Sequence, residues 1–160
     1  MSTHVQFRQY IPSDKEQVCQ LHEVALRDTN AFGKSGQWDS DLDDIEGKYL
    51  NNGGNFVVGL LNADIIAMGA FRKLSDEAAE LKRMRVRPDL QGKGIGRGLL
   101  EMLEASIKDH GYKVIKLDTT VNQSAAIHLY ESAGYREVSR SIQGWPTLPL
   151  ETIFFEKQIV

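Results

Sequence analysis

Three glycines stand at alternate positions near the middle of the chain, at Gly92, Gly94 and Gly96, with Lys93 and Arg97 among them. Glycine lacks a Cβ atom, so an anion can approach its backbone closely. If a helix begins here, its first N–H groups have no partner within the helix and can bind that anion. The stretch is a candidate phosphate site. The alternative is a plain strand–loop–helix connection that uses its glycines only for turning.

The spacing of these residues excludes two familiar anion motifs. A P-loop requires Gly-Lys followed by Ser or Thr, whereas Lys93 is followed by Gly94. The dinucleotide fingerprint Gly-x-Gly-x-x-Gly fails because neither register ends on glycine. What remains is the pattern Gln-x-x-Gly-x-Gly, formed by Gln91, Gly94 and Gly96.

A strand and a helix must position this turn. Residues 81–86 are apolar enough for a short strand, and Pro88 ends it because proline cannot donate to a ladder. From Ile95 the apolar residues recur at steps of three and four, which indicates a helix. These apolar positions are Ile95, Leu99, Met102, Leu103 and Ile107.

Patterning and turn residues predict the other elements. Strands are expected over residues 5–10, 56–61, 65–71, 114–120, 136–140 and 152–159. Further helices are expected from a Ser13–Glu16 capping box to about residue 26, from Asp39 or Ser40 to Leu50, and over residues 124–132. Turns are expected at residues 62–64 and 110–112, and a loop over residues 143–149. The predicted order is β-α-α-β-β-β-α-β-α-β-β, within a single domain spanning residues 1–160.

Composition favours an ordinary globular protein. The chain has 160 residues, of which 41% are hydrophobic and 26% charged, and its net charge of −3 argues against nucleic-acid binding. Its single cysteine, Cys19, fits a reducing compartment, and we expect a cytoplasmic protein. We predict no membrane partner, because no apolar run approaches the ~20 residues of a span. The four histidines lack the spacing of a zinc site, so we predict no metal.

Two motifs carry a resemblance to a known family. Gln91, Gly94 and Gly96, preceded by residues 84–86 and Pro88, resemble the acetyl-CoA-binding motif of the GNAT superfamily of N-acetyltransferases. The segment Ala-Ile-His-Leu-Tyr-Glu-Ser-Ala-Gly-Tyr, residues 126–135, is similar to the family's second motif. The predicted element order is also that of the family. The resemblance implies an α+β fold with α/β-type layering, in which a mixed, mostly antiparallel central sheet has helices on both faces.

The resemblance also implies which residues bind acetyl-CoA. The backbone of Met84, Arg85 and Val86 would hold the pantetheine arm and the acetyl carbonyl. The family's asparagine for the arm corresponds to Gln123, with Asn122 one position earlier, so either amide remains a candidate. The pyrophosphate would lie on the turn formed by Gln91, Gly92, Lys93, Gly94, Ile95, Gly96 and Arg97.

The implied activity is acetyl transfer from acetyl-CoA to a primary amine, by direct attack through a tetrahedral intermediate. Tyr130 corresponds to the family's acid, which protonates the leaving thiolate. Glu80 and Asp118 correspond to the bases of two different branches, and an ordered water is a third alternative. A carboxylate suits this task because an alkylamine, with a pKa near ~10, is mostly protonated at neutral pH.

The acceptor is left open by the sequence. A small amine such as an amino acid, a polyamine or an amino-bearing drug is expected, and a protein α-amine is the second candidate. Transfer of another acyl group and a catalytically silent acyl-CoA-binding module are the alternatives to acetyl transfer. Many members of the family are dimers, so homodimer formation is also left open.

Overall fold

The computed structural model describes residues 4–28, 37–145 and 148–159. Its strands form one seven-stranded sheet in the order β1-β2-β3-β4-β5-β7-β6, in which only the β4–β5 pair is parallel. The strands are β1 (Gln6–Gln9), β2 (Asn55–Leu61), β3 (Asp64–Lys73), β4 (Ala78–Val86), β5 (Val114–Thr120), β6 (Arg136–Trp145) and β7 (Leu148–Gln158). The helices are α1 (Lys15–Asp28), α2 (Ile95–Asp109) and α3 (Ser124–Ser132). The predicted mixed, mostly antiparallel sheet is confirmed.

Helices cover both faces of this sheet, as predicted. Alternation along β2 shows the two faces, since Val57 packs with α2 while Phe56 and Val58 pack on the opposite side, with α1. Helix α2 buries the positions that its period predicted, including Leu99 and Leu103, although Met102 is exposed. The side that carries α2 and α3 is called the α2 face below, and the other the α1 face.

The hairpin between β2 and β3 closes as the sequence predicted. Leu61 pairs with Asp64, which leaves Asn62 and Ala63 as a two-residue turn. Both have positive φ, at 52° and 74°, which is typical of the tight turn that matches strand twist.

The helix predicted from Asp39 or Ser40 to Leu50 is wrong in type. The segment forms a 3-10 turn over Gln37–Asp43 and a π-helical turn over Glu46–Leu50. The Asp44 carboxylate accepts the N–H of Gly47 at 3.0 Å. The backbone carbonyl of Glu46 accepts the backbone N–H of Asn51 at 2.8 Å. A side chain that satisfies the backbone locally competes with regular α-helical bonding.

The predicted cap of the first helix is also wrong. A 3-10 turn over Pro12–Asp14 precedes α1, and its N-cap is Ile11, so Ser13 lies inside the turn and cannot be the cap. Pro12 takes the first position of the turn, which proline favours. The Asp14 carboxylate accepts the N–H of Ile11 at 2.9 Å and is held by Arg8 at 2.7 Å. Asp14 therefore takes the role that was assigned to Ser13 and Glu16.

The loop predicted over residues 143–149 is instead the end of a long hairpin. Strand β6 continues to Trp145 and β7 begins at Leu148, with Gly144 opposite Pro149. The glycine and prolines there favoured a loop, but the β6–β7 ladder that begins with Arg136 opposite Glu156 continues to Trp145 opposite Leu148. Strand pairing therefore overrides the local signal.

Candidate active site

Strand β4 has an unpaired edge in the middle of the sheet. Its parallel pairing with β5 covers three positions and ends at Glu80 and Lys116, whereas its pairing with β3 continues to Val86. In the described part of the chain, the backbone groups of residues 81–86 on the β5 side therefore have no ladder partner. An exposed edge of this kind can bind an extended ligand through backbone hydrogen bonds.

A bulge interrupts the same strand, in its ladder with β3. Arg83 has φ of 60°, which is uncommon for a residue other than glycine, and the β3–β4 register shifts beside it. The Arg83 Nε donates to Asp41 at 2.9 Å, and Tyr49 also donates to that carboxylate. Although burial acts in the opposite direction, these hydrogen bonds hold the pKa of Asp41 below its usual value. The bulge and its support are not visible in the sequence, since no turn residue marks Arg83.

The glycine turn forms the N-terminus of α2, as predicted. Gly92 and Gly94 have φ of 77° and 83°, and a Cβ atom at either would meet nothing within 4 Å. Gly94 is the N-cap and carries no side-chain cap, so the first N–H groups of the 15-residue α2 face the turn. Glycine is required here for its backbone conformation, and the donors that it leaves exposed suit an anion.

A cleft of about 760 Å³ lies between β4, the glycine turn and α3. The structure brings most of the residues predicted for acetyl-CoA together in this cleft. These are Met84, Arg85, Val86, Gln91, Gly92, Gly94, Ile95, Gly96, Arg97, Asn122, Gln123 and Tyr130. Lys93, which was also predicted, is not among the lining residues.

Some of these side chains also form hydrogen bonds within the protein. Gln91 donates from Nε2 to the carbonyl of Val86 at 3.2 Å, which fixes the start of the turn. Arg97 donates to the hydroxyl of Ser132 and so joins α2 to α3. Asn122 and Gln123 lie just before α3, where Gln123 is its N-cap residue.

Sequence reasoning found only part of one wall of the cleft, namely Asn122, Gln123 and Tyr130. Helix α3 lines it with Ser124, His128 and Ser132, and with Ala125 and Leu129. These positions recur every four residues, which places them on one face of a helix. That period was the signal available in the sequence. The cleft is further lined by Ala25, Leu90 and Ala126.

Tyr130 lines the cleft with only 5% of its surface exposed. Its ring packs edge-on against Tyr135, with centroids 5.7 Å apart. Among the described residues, no hydrogen bond involves its hydroxyl. Burial raises the pKa of Tyr130 to about 12, and the charge of Asp118 acts in the same direction, against that of Arg85. The phenol therefore keeps its proton at neutral pH.

Glu80 and Asp118 lie outside the lining of this cleft, on the α1 face of neighbouring strands. Glu80 accepts from Arg72 Nε at 2.7 Å. The Asp118 side chain is exposed to solvent, but neighbouring protein atoms partly desolvate its carboxyl. This desolvation, together with the negative charge of Glu80, raises the pKa of the Asp118 carboxyl. Both predicted bases are thus brought into one charged cluster, and Asp118 is close enough to Tyr130 to affect its pKa.

Within the described residues, no group of side chains is suited to hold a metal ion, and no helix is long and apolar enough to cross a membrane.

Comparison with known proteins agrees with the two motifs. Residues 16–135 match the model of the acetyltransferase (GNAT) family. N-acetylaspartate synthetase of Danio rerio is 32% identical over 123 residues, covering 73% of this chain and 44% of that protein. The [ribosomal protein bS18]-alanine N-acetyltransferase of Salmonella typhimurium is 34% identical over 126 residues, covering 79% of this chain and 74% of that protein. The chain thus spans less than half of the first of these relatives.

Solved structures show the same fold. A GNAT-family acetyltransferase of Staphylococcus aureus Mu50 superposes with a TM-score of 0.85 at 24% identity, covering 97% of this chain and 99% of that one. YncA of Salmonella typhimurium, solved with its cofactor acetyl-CoA, gives a TM-score of 0.81 at 21% identity, covering 96% and 93%. The family model, which matches three quarters of the chain, and the shared fold lead to one conclusion: this chain belongs to the GNAT family of acetyltransferases.

Proposed function

We propose that this protein transfers the acetyl group of acetyl-CoA directly to the primary amine of a small molecule. The observation that carries the proposal is the cleft itself. It joins an unpaired strand edge, a glycine turn at a helix N-terminus and a protonated tyrosine. These three features suit the amide-bearing arm, the pyrophosphate and the leaving sulfur of one extended molecule.

The residues present fit acetyl-CoA as a substrate. The backbone of residues 84–86 offers donors and acceptors to the pantetheine arm, and Gln123 or Asn122 offers an amide on the opposite wall. The N–H groups that follow Gly94 would hold the pyrophosphate, with Arg97 beside them. When bound, acetyl-CoA supplies the activated thioester that the amine attacks.

A carboxylate on the α1 face would take the proton of the amine. Asp118 suits this role because its raised pKa brings it nearer to the operating pH, where a base is most effective. Glu80 is the alternative, and its contact with Arg72 fixes its orientation. A backbone N–H on the bulged edge of β4 would stabilise the developing oxyanion. Either carboxylate can act directly or through water.

Tyr130 would return a proton to the departing sulfur. Its buried hydroxyl stays protonated at neutral pH and has no described protein partner that would compete for it. A phenol is a weak acid for a thiolate whose usual pKa is near ~8.5, so the transfer depends on close positioning. The rigid packing of Tyr130 against Tyr135 supports that positioning.

Two classes of acceptor are supported by the relatives. The name of N-acetylaspartate synthetase denotes a free amino acid derivative as the product, and the Salmonella relative is named for alanine of a ribosomal protein. We propose a small amine as the acceptor. A protein α-amine is the second candidate, because the Salmonella relative matches over more of its own length.

The test is CoA release from acetyl-CoA, followed with a thiol-reactive dye across amino acids, polyamines, amino-bearing drugs and an alanine-initiated peptide. Release that depends on a small amine is the expected result. Release with the peptide alone would favour the second candidate. Tight acetyl-CoA binding in a parallel titration without release for any amine would contradict the transferase proposal and favour an acyl-CoA-binding module.

A further inference from the structure

Most charged side chains on the α1 face near the end of the β4–β5 ladder are held in ion pairs. Arg72 binds Glu80 at 2.7 Å, and Lys116 lies 3.9 Å from Glu156. Arg83 binds the carboxylate of Asp41. These contacts neutralise the charges locally and leave them little capacity for a further ligand.

Lys82 and Asp118 differ from these neighbours. Within the described part of the chain, neither side chain has an oppositely charged group within 4 Å. The charge of Lys82 nevertheless acts on Asp118, because burial raises the pKa of the Asp118 carboxyl and the charge of Lys82 opposes that rise. The two charges therefore interact without forming an ion pair.

The strand register explains this separation. Glu80 and Lys116 form the last pair of the parallel ladder between β4 and β5. Continuing that register by two residues would place Lys82 opposite Asp118, on the same α1 face. The ladder ends at Glu80 and Lys116 instead, so the register puts a cation on β4 and a carboxylate on β5 just beyond the point where pairing stops. Tyr130 lines the neighbouring cleft, and the charge of Asp118 adds to burial in raising the pKa of Tyr130.

We propose that the acceptor is an amine bearing a carboxylate close to its nitrogen, as in a free amino acid, and that Lys82 binds this carboxylate while Asp118 faces the amine. In an α-amino acid both groups stand on one carbon, so the cation and the base must lie close together. A polyamine has no anion for Lys82 to bind, and an alanine-initiated peptide has an amide in place of the carboxylate. This inference rests on the proposed function for the identity of the site.

The experiment compares L-aspartate and L-alanine with their α-amides in the CoA-release assay. Lys82→Gln should raise KM about 10–100-fold for the two amino acids, the effect expected for losing a hydrogen bond to a charged group. Turnover of the amides and affinity for acetyl-CoA should stay within about twofold of the wild-type values, because neither depends on this hydrogen bond, whose loss would change them at least about tenfold. Lys82→Arg should restore part of the loss. Lys113→Gln removes the same charge at the start of β5, where Lys113 pairs with Glu77, and should change nothing.

A second measurement separates this inference from the transferase proposal. The CoA-loaded protein is titrated calorimetrically with L-aspartate and with its α-amide. Binding of L-aspartate that Lys82→Gln weakens, without turnover of any amine, would support the carboxylate site and refute the transferase. Turnover of amides equal to that of amino acids, or equal losses for both in Lys82→Gln, would refute the carboxylate site alone. Absence of both binding and turnover would refute both.

Discussion

The pair Tyr130 and Tyr135 allows a sharp test, because two tyrosines in ring contact differ in what their hydroxyls do. Tyr135 donates to Glu104 Oε2 at 2.8 Å, whereas the hydroxyl of Tyr130 has no hydrogen bond within the described residues. Removing each hydroxyl therefore has a different expected consequence. Tyr130→Phe should impair the reaction and spare the fold, and Tyr135→Phe should do the reverse.

The magnitudes follow from these contacts. Tyr130→Phe leaves no protein group without its partner, so the free energy of unfolding should change by about 0.5 kcal/mol or less. Loss of an acid typically lowers kcat at least about 10²-fold, which corresponds to about 2.7 kcal/mol of barrier. Tyr135→Phe removes a hydrogen bond to a carboxylate, which costs about 1.5 kcal/mol and lowers Tm by about 3–6 °C.

The assay combines three measurements on each variant, namely kcat from CoA release, the Kd of acetyl-CoA and Tm. The role of Tyr130 as the acid is refuted if Tyr130→Phe turns over at the wild-type rate. It is also refuted if Tyr130→Phe loses activity and Tm together, since the hydroxyl would then be structural. A fall of kcat in Tyr135→Phe as large as that in Tyr130→Phe would show that the assay reports packing of the ring pair and not proton transfer.

Three further predictions concern other parts of the site. Gly94→Glu should abolish acetyl-CoA binding, measured by titration, because a charged side chain would enter the open space in front of the α2 N-terminus at a position with positive φ. Asp118→Asn should lower kcat if Asp118 is the base. The folded-state pKa of Asp118 is raised, so its ionised form destabilises the fold. Asp118→Asn should therefore raise Tm at pH 7 and leave it unchanged at pH 3. A lower Tm of the variant at pH 7 would contradict the raised pKa. The opposite sign holds for Asp41, whose pKa is lowered: Asp41→Asn should cost about 2 kcal/mol, or about 4–8 °C in Tm, at pH 7. That difference should shrink as the pH falls through the lowered native-state pKa of Asp41, and a difference that stays constant as acid is added would mean that its charge is not the cause.

Much of the fold was predictable where local patterns and tertiary packing agree. The apolar period that begins at Ile95 coincides with a helix that buries the same residues, and the structure gives β5 and α3 the bounds expected from the sequence. The glycine turn was predictable for a related reason. Gly94 is needed both for its positive φ and for access to the helix N-terminus, so one residue type answers two requirements.

What escaped prediction depends on non-local geometry. The paired end of the hairpin at Gly144 and Pro149 continues the β6–β7 ladder that begins with Arg136 opposite Glu156, and does not follow from its own composition. The bulge at Arg83 is supported by Asp41, which lies 42 residues earlier in the chain. The opposition of Lys82 and Asp118 exists because two strands diverge, and no spacing along one chain encodes that divergence.

The short parallel ladder between β4 and β5 also has a mechanical consequence. Three register pairs join a four-stranded part of the sheet to a three-stranded part, while each part is held by longer antiparallel ladders. Beyond Glu80 and Lys116 the two parts are connected through side-chain packing. Leu81, Leu117 and Phe155, for example, share one apolar cluster with residues of α2. An extended ligand that is hydrogen-bonded to the free edge of β4 would continue the ladder where β5 no longer pairs. Loading the cleft should then make the sheet unfold as a more cooperative unit and slow amide exchange along residues 81–86.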